Sequence, residues 1–324
     1  MKCPDCGTNR KYKDGMTCGC GYHFVLDPKS DDITDGKFLG LVAVASGNDT
    51  YFFTENQLYT VYCSRKYFGP MIPAAIAAVF FGLAVGLWIM MGREIHAFAL
   101  IPAGVGVLCV IVALNARFSP PPDKADFHRI LNKWRGQKGN PDKLLEGPAL
   151  HEPPPEWQEP DIYDYGVERL VVVQRDLLVD LFVKNDFHAE QRALIVAESG
   201  YPQYLVPLAV KALTDNPQLP VFYLHDATDE GVEMAARLGQ SGMLAGEQHL
   251  QIDLGLFPQD VERIPKLKAL KPQKVNNQLA VDVIPYAVLS AMLTQALAEQ
   301  ISLGQLLVIS SSQFGDGDGG IGFG

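Results

Sequence analysis

The apolar positions of this chain follow three patterns in turn. Residues 71–91 and 95–115 are two apolar runs in which His96 is the sole ionisable group. At 1.5 Å per residue each covers about 32 Å, enough to cross a hydrocarbon core. Only Gly92, Arg93 and Glu94 separate them, which predicts a helical hairpin of two spans. Small residues at Ala74, Ala75, Ala77, Ala78, Gly82 and Gly86 on one span, and at Gly104 and Gly106 on the other, allow close helix packing. From Glu168 the pattern changes to short apolar runs alternating with helical stretches: ERLVVVQ (168–174), RALIVAE (192–198), PVFYLHD (220–226) and HLQIDLG (249–255). Continuous runs such as Leu170–Val173 suit strands buried on both faces, so a mostly parallel sheet with helices on both faces is expected. A helix over Tyr286–Ile301 is too short for a third span and is expected to bury against that sheet. Between the N-terminus and the first span, Thr54 and Gln57 have capping-box spacing and predict a helix from Glu55 toward Arg65. Its Leu58, Tyr59 and Tyr62, with Phe68 beyond, are expected to pack on the N-terminal module or the bilayer surface.

These patterns divide the chain into an N-terminal module (1–30), a juxtamembrane helical segment (31–68) and the hairpin (69–117). A Pro-rich basic linker (118–160), an α/β domain (161–305) and a Gly-rich tail (306–324) follow. Arg65 and Lys66 precede the first span and Arg117, Lys124, Arg129, Lys133 and Arg135 follow the second, against Arg93 alone in the loop. By the positive-inside rule both soluble parts face the cytoplasm, here of a bacterial inner membrane, with the first span as the targeting signal. The linker stretch FHRILNKWRGQK is either a short interfacial helix on lipid or an ordinary connection.

Charge and cysteines narrow the chemistry. The net charge of −10 lies in the C-terminal half, where residues 161–324 carry 11 Lys or Arg against 21 Asp or Glu, an unfavourable field for duplex DNA. Four of the six cysteines fall within the first twenty residues, and Cys63 and Cys109 stand alone, so metal binding is favoured over a disulfide framework. The segment CPDCGTNRKYKDGMTCGCGYHF has almost no apolar core, and a Zn²⁺ bound by Cys3, Cys6, Cys18 and Cys20 would hold it together. The second knuckle has one residue between its sulfurs instead of two, which leaves His23 as an alternative ligand to Cys18. The segment resembles the short zinc ribbons at the N-termini of many bacterial membrane proteins. That resemblance implies a structural metal and a scaffold or interaction role toward a protein partner.

In the C-terminal domain the order VVVQRD, AESGYPQYLVPLAVKAL, LPVFYLHDATDEG and DLGLFPQDVERIPKL resembles the Toprim domain of the topoisomerase VI A subunit and its meiotic double-strand-break relatives, over about residues 161–275. In that family the first strand ends in a glutamate and the third runs into two aspartates one residue apart, which together hold Mg²⁺ near a phosphodiester. Here Gln174 stands at the glutamate position, and Asp226 and Asp229 are spaced differently. The resemblance still leaves Asp226, Asp229, Glu230 and Glu198 as candidates for a divalent-cation site, but the family's tyrosine-bearing winged helix has no counterpart. His225 is either a general base or hydrogen-bonded locally. His188, in the polar turn NDFHAEQR, is expected to be exposed, and Arg175 and Asp176 are expected to cap and pair at the start of the first helix. DGDG in the tail lacks the flanking ligands of a calcium loop, so a flexible terminus is expected. Three function classes follow: a membrane-tethered scaffold or sensor with a non-catalytic domain, a Mg²⁺-dependent nuclease or phosphotransfer enzyme, and a nucleic-acid binder using Lys11, Lys13, Arg129, Lys133 and Arg135.

Overall fold

The computed structural model describes residues 1–67, 79, 105–107, 123–153, 166–240, 249–263 and 278–313. The two expected spans, apart from Val79 and residues 105–107, and the tail beyond Gln313 lie outside the described residues, as does Phe68. Among the described residues no single helix is long and apolar enough to cross a membrane. Met1–Val61 and Lys124–Gly324 belong to one compact unit, and Tyr62–Asp123 to another.

In the first unit two short antiparallel bridges, Lys2 with Asn9 and Thr17 with His23, shape the N-terminal knuckles. Helices α1 (Asp35–Ala45) and α2 (Glu55–Tyr67) come next, then α3 (Lys124–Lys138). The capping box forms as its sequence predicts: Gln57 N donates to Thr54 Oγ1 at 3.3 Å, and Thr54 N donates to Gln57 Oε1 at 3.0 Å. Helix α3 occupies the stretch read as linker or interfacial helix. Its apolar side, Phe127, Ile130, Leu131 and Trp134, is buried within the protein. Trp134 stacks on Phe38 of α1 at 4.8 Å, and Phe127 on Tyr59 of α2 at 5.4 Å. The prolines that bracket this stretch read as linker punctuation, yet the side chains between them repeat at helical spacing, and burial of that face outweighs the polar composition.

The C-terminal domain is built from β1 (Arg169–Val173), α4 (Asp176–Val183), α5 (Phe187–Glu190), β2 (Ala193–Ala197) and α6 (Val206–Asp215). It continues through β3 (Val221–Leu224), α7 (Asp229–Val232), α8 (Met234–Gln240), β4 (Gln251–Asp253), α9 (Pro258–Arg263), α10 (Tyr286–Glu299) and α11 (Leu303–Gln313). The strands pair in the order β2-β1-β3-β4, all parallel, with Val172 opposite both Val196 and Tyr223. Alternation along each strand sorts the side chains onto two cores. Val171, Val173, Ile195, Phe222 and Leu224 pack with α4, α10 and α11 on one face, while Leu170, Val172, Leu194, Val196 and Tyr223 pack with α6 and α8 on the other. Helix α10 therefore buries against the sheet, as its length implied. A 101° bend separates it from the apolar stretch Leu303–Ile309 that follows.

Side-chain amides join the N-terminal segment to this domain. Asn185 exchanges hydrogen bonds with the Phe52 backbone at 2.8 and 2.9 Å, Gln57 Nε2 donates to the Ile284 carbonyl at 2.9 Å, and Tyr51 stacks on Tyr286 at 5.1 Å. Residues after α3 join as well: Leu144 bridges Phe53, and Asp180 accepts from Ala149 N at 2.9 Å.

Candidate functional sites

At the N-terminus two knuckles aim four sulfurs at one point. Cys3 N donates to the Thr8 carbonyl and Gly7 N returns to the Cys3 carbonyl; Cys18 N donates to Tyr22 O and Gly21 N to Cys18 O. Gly7 and Gly21 hold the positive φ values, 71° and 94°, that close these turns. All four ligand atoms lie within 4.8 Å of one another, with Cys3–Cys20 and Cys6–Cys18 sulfur pairs at 3.7 and 3.6 Å. A tetrahedron with metal–sulfur arms of about 2.3 Å has edges of about 3.8 Å, so the donor set fits a four-thiolate metal site. The one-residue gap between Cys18 and Cys20 does not prevent this, and His23 stays outside: it is exposed and pairs with Thr17 Oγ1 at 3.1 Å. The Thr8 hydroxyl and backbone pull the Cys6 thiol down to about 6. Cys20 is pushed up to about 12, because burial and its three thiol neighbours outweigh the Tyr22 backbone N–H.

The second site lies at the carboxyl ends of the strands, where parallel sheets place their ligands. Asp226, just past β3, is buried and its carboxylate is already committed. Its Oδ2 lies 2.7 Å from Arg175 Nε and its Oδ1 accepts from Val281 N at 2.7 Å. Arg175 also reaches Asp282, with Nη2 2.5 Å from its Oδ1. Asp282 is fully buried and accepts in addition from Asn56 Nδ2 at 3.0 Å. One guanidinium thus serves two carboxylates. Burial raises the Asp282 carboxyl, but Arg175 outweighs it and the net shift is downward. Asp226 goes the other way, because burial and the Asp282 charge outweigh Arg175.

Gln174, at the end of β1, uses its Oε1 to accept from Asp226 N at 2.8 Å. It therefore contributes a structural bond where a glutamate would contribute charge. Thr228, one residue beyond Ala227, caps α7 by accepting from Gly231 N at 2.8 Å. Asp229 and Glu230 are exposed in the first turn of that helix. Glu198 is paired in bidentate fashion with Arg237 at 2.7 and 2.9 Å. Among the described residues the four cysteines are the one group of three or more potential ligands gathered at metal-binding distance. His225 is buried, with Nδ1 2.8 Å from the Asp226 carbonyl and Nε2 3.0 Å from Asp253. Each nitrogen faces an oxygen acceptor, the arrangement of an imidazolium. Burial lowers its pKa, and Asp253 with the carbonyl of Asp226 more than reverses that, for a net rise.

The glycines fit the same close packing. A Cβ at Gly231 would stand 2.3 Å from the Asp226 carbonyl and 3.0 Å from Gln174 Oε1. The family of the Spo11 and topoisomerase 6 Toprim domain, named for Spo11 and the A subunit of that topoisomerase, matches residues 169–300, the stretch that carries this sheet and its strand-end residues. The C-terminal region has a Toprim domain of this type. The chain is also similar to the Meiotic recombination protein SPO11 of Mus musculus, 31% identical over 124 residues, which cover 36% of this chain and 31% of that protein. The chain thus spans about a third of the length of that relative. No solved structure matches it significantly.

Sequence reasoning missed the roles of Arg175 and Asp282. Arg175 sits at the N-cap of α4 without making a capping bond and turns instead to carboxylates 51 and 107 residues away. Asp176 pairs with Ser199 Oγ at 2.5 Å rather than with Arg175. His188 is buried, contrary to its expected exposure, because Asp186 at φ 59° turns the chain so that Phe187 enters the core and carries its neighbour inward.

Proposed function

We propose that this chain is a membrane-anchored scaffold or sensor, in which the predicted hairpin holds a zinc ribbon and a non-catalytic Toprim domain at the cytoplasmic face of a bacterial inner membrane. The reading rests on one observation: Asp226, the carboxylate at the family's cation position, is held by Arg175, and no other carboxylate among the described residues joins it in a metal-binding group. A hard divalent cation needs several oxygen ligands, usually with charged carboxylates among them. The Arg175 pairing weighs against an open Mg²⁺ position at Asp226, and no catalytic step is assigned to Asp226, Asp229, Glu230 or Glu198. At the ribbon, Cys3, Cys6, Cys18 and Cys20 would hold Zn²⁺ with all four positions filled by protein, which supports a structural metal and a surface for a protein partner.

The test uses full-length protein in detergent, with metal analysis, Mg²⁺ and Mn²⁺ calorimetry and a plasmid-cleavage assay. One zinc per chain, lost in Cys3→Ser, with no divalent binding sensitive to Asp226→Ala and no cleavage, is the expected result. Mn²⁺-dependent cleavage or phosphotransfer that Asp226→Ala abolishes would overturn the reading in favour of an enzyme.

A second reading, contact with DNA without cleavage, is favoured by the family to which the Toprim domain belongs. Its basic candidates divide unevenly. Lys11 and Lys13 are exposed on the ribbon, whereas Arg129 and Lys133 pair with Asp31 at 2.8 and 2.7 Å and Arg135 with Glu55 at 3.4 Å. Binding that falls steeply with salt and is lost in a Lys11, Lys13 double alanine variant would support it; salt-insensitive binding would exclude it.

A further inference from the structure

We infer that the strand-end carboxylate site of this Toprim domain has become an internal latch, in which Arg175 takes the cation position and ties it, through Asp282 and Asn56, to the first turn of α2. The inference rests on the reading of that site as free of divalent metal and goes beyond it by assigning the site an occupant.

A continuous chain of polar contacts links the two places. Lys124 Nζ donates to Asn56 Oδ1 at 2.8 Å, Asn56 Nδ2 donates to Asp282 Oδ1 at 3.0 Å, and Arg175 Nη2 donates to that same oxygen at 2.5 Å. Arg175 Nε then meets Asp226 Oδ2 at 2.7 Å, and Asp226 N closes the series on Gln174 Oε1 at 2.8 Å. The series begins at the starts of α2 and α3, outside the matched Toprim residues, and ends at the two strand ends of the cation position. Asp282 at its centre is fully buried, so its charge has to be met by protein groups: the Arg175 guanidinium, the Asn56 amide and the Thr54 hydroxyl, the last two from the start of α2. Withdrawing Asn56 leaves Asp282 short of a donor and shifts the balance of Arg175 between its two carboxylates. The same corner is pinned by backbone bonds: Ala227 N donates to the Leu279 carbonyl at 2.8 Å, and Val281 N donates to Asp226 Oδ1 at 2.7 Å. A change in Arg175 is therefore felt across the β3 end. Helix α2 continues to Tyr67, after which the sequence enters the predicted spans. Displacement of α2 is thereby coupled to the charge arrangement inside the Toprim domain.

The test is amide hydrogen exchange on the full-length protein in detergent, following Leu58 in the first turn of α2 and Asp226, Ala227 and Val281 at the β3 end. Asn56→Ala, which touches neither Asp226 nor Arg175, is expected to speed exchange at both places by about tenfold or more, the loss of a hydrogen bond to a charged group. Asn56→Asp, which sets like charges 3.0 Å apart at Asp282 if the geometry holds, is expected to do more. Arg175→Gln combined with Asn56→Ala is expected to be no worse at Asp226 and Ala227 than Arg175→Gln alone. If Asn56→Ala accelerates Leu58 but leaves Asp226, Ala227 and Val281 unchanged, or if the two substitutions multiply, there is no latch. Mn²⁺ binding by the wild type that depends on Asp226 would instead overturn the metal-free reading, so the two failures are distinct.

Discussion

Replacing Asp35 by alanine should loosen the N-terminal ribbon from helix α1 without removing a single cysteine. Asp35 is fully buried in the first turn of α1. Its Oδ2 accepts from Tyr22 Oη at 2.7 Å and from Val25 N at 3.0 Å, and its Oδ1 accepts from Leu26 N at 2.8 Å. Tyr22 packs with Cys3, Cys18 and Phe24, so this one carboxylate fastens the small core of the ribbon to a helix. Alanine orphans three donors at once. A buried donor left unpaired costs about 1–3 kcal/mol, and allowing for relaxation the total should be about 3–5 kcal/mol. Asparagine keeps one oxygen for Tyr22 and Val25 but turns an N–H₂ toward Leu26 N, for a loss of about 1–2 kcal/mol. Tyr22→Phe removes one bond and should cost about 1 kcal/mol. Amide exchange at Val25 and Leu26, read together with thermal unfolding and the rate of metal release to a chelator, should rank the variants Ala, then Asn, then Phe. Equal effects for Ala and Asn, or a Tyr22→Phe as severe as Ala, would refute the assignment of Asp35 as the anchor.

His225 has a raised pKa in the folded protein, so its contribution is complete below its ordinary value of 6.5 and fades as pH rises through the higher folded value. The thermal midpoint should therefore decline with rising pH across that window in the wild type and lose that part of its slope in His225→Gln, provided Asp253 is present. At Gly255 an added Cβ would stand 2.3 Å from the His225 ring, so Gly255→Ala should destabilise by about 1–3 kcal/mol in denaturant titration and change the imidazole resonances of His225. The Tyr223 hydroxyl is buried and has no hydrogen-bond partner among the described residues. Tyr223→Phe should therefore leave stability unchanged or raise it slightly, and a loss above about 1 kcal/mol would reveal a partner for that oxygen. Treatment with a chelator should expose the clustered Cys3 and Cys18 thiols to alkylation while leaving the Toprim sheet folded by circular dichroism, as the proposed structural metal requires.

The sequence by itself determined what depends on near neighbours. All four strands lie within the runs that announced them; in β1, β2 and β3 burial on both faces writes a continuous hydrophobic signal, whereas β4 buries only Ile252. Thr54 and Gln57 form their box because both partners lie within one turn, and the cysteine cluster was legible because two tight knuckles need only local hydrogen bonds. Tertiary structure decided whatever depends on distant partners. Arg175 read as a helix start, yet its carboxylates are 51 and 107 residues away, and nothing in the local pattern distinguishes Asp282 from a surface aspartate. The basic stretch 127–138 read equally as an interfacial helix or a linker, and Phe38 and Tyr59 supply the surface that buries its Phe127 and Trp134. Periodicity shows which face of an element seeks burial, but a charge enclosed away from water must be met wherever the fold can bring a counter-charge, and only the assembled chain shows where that is.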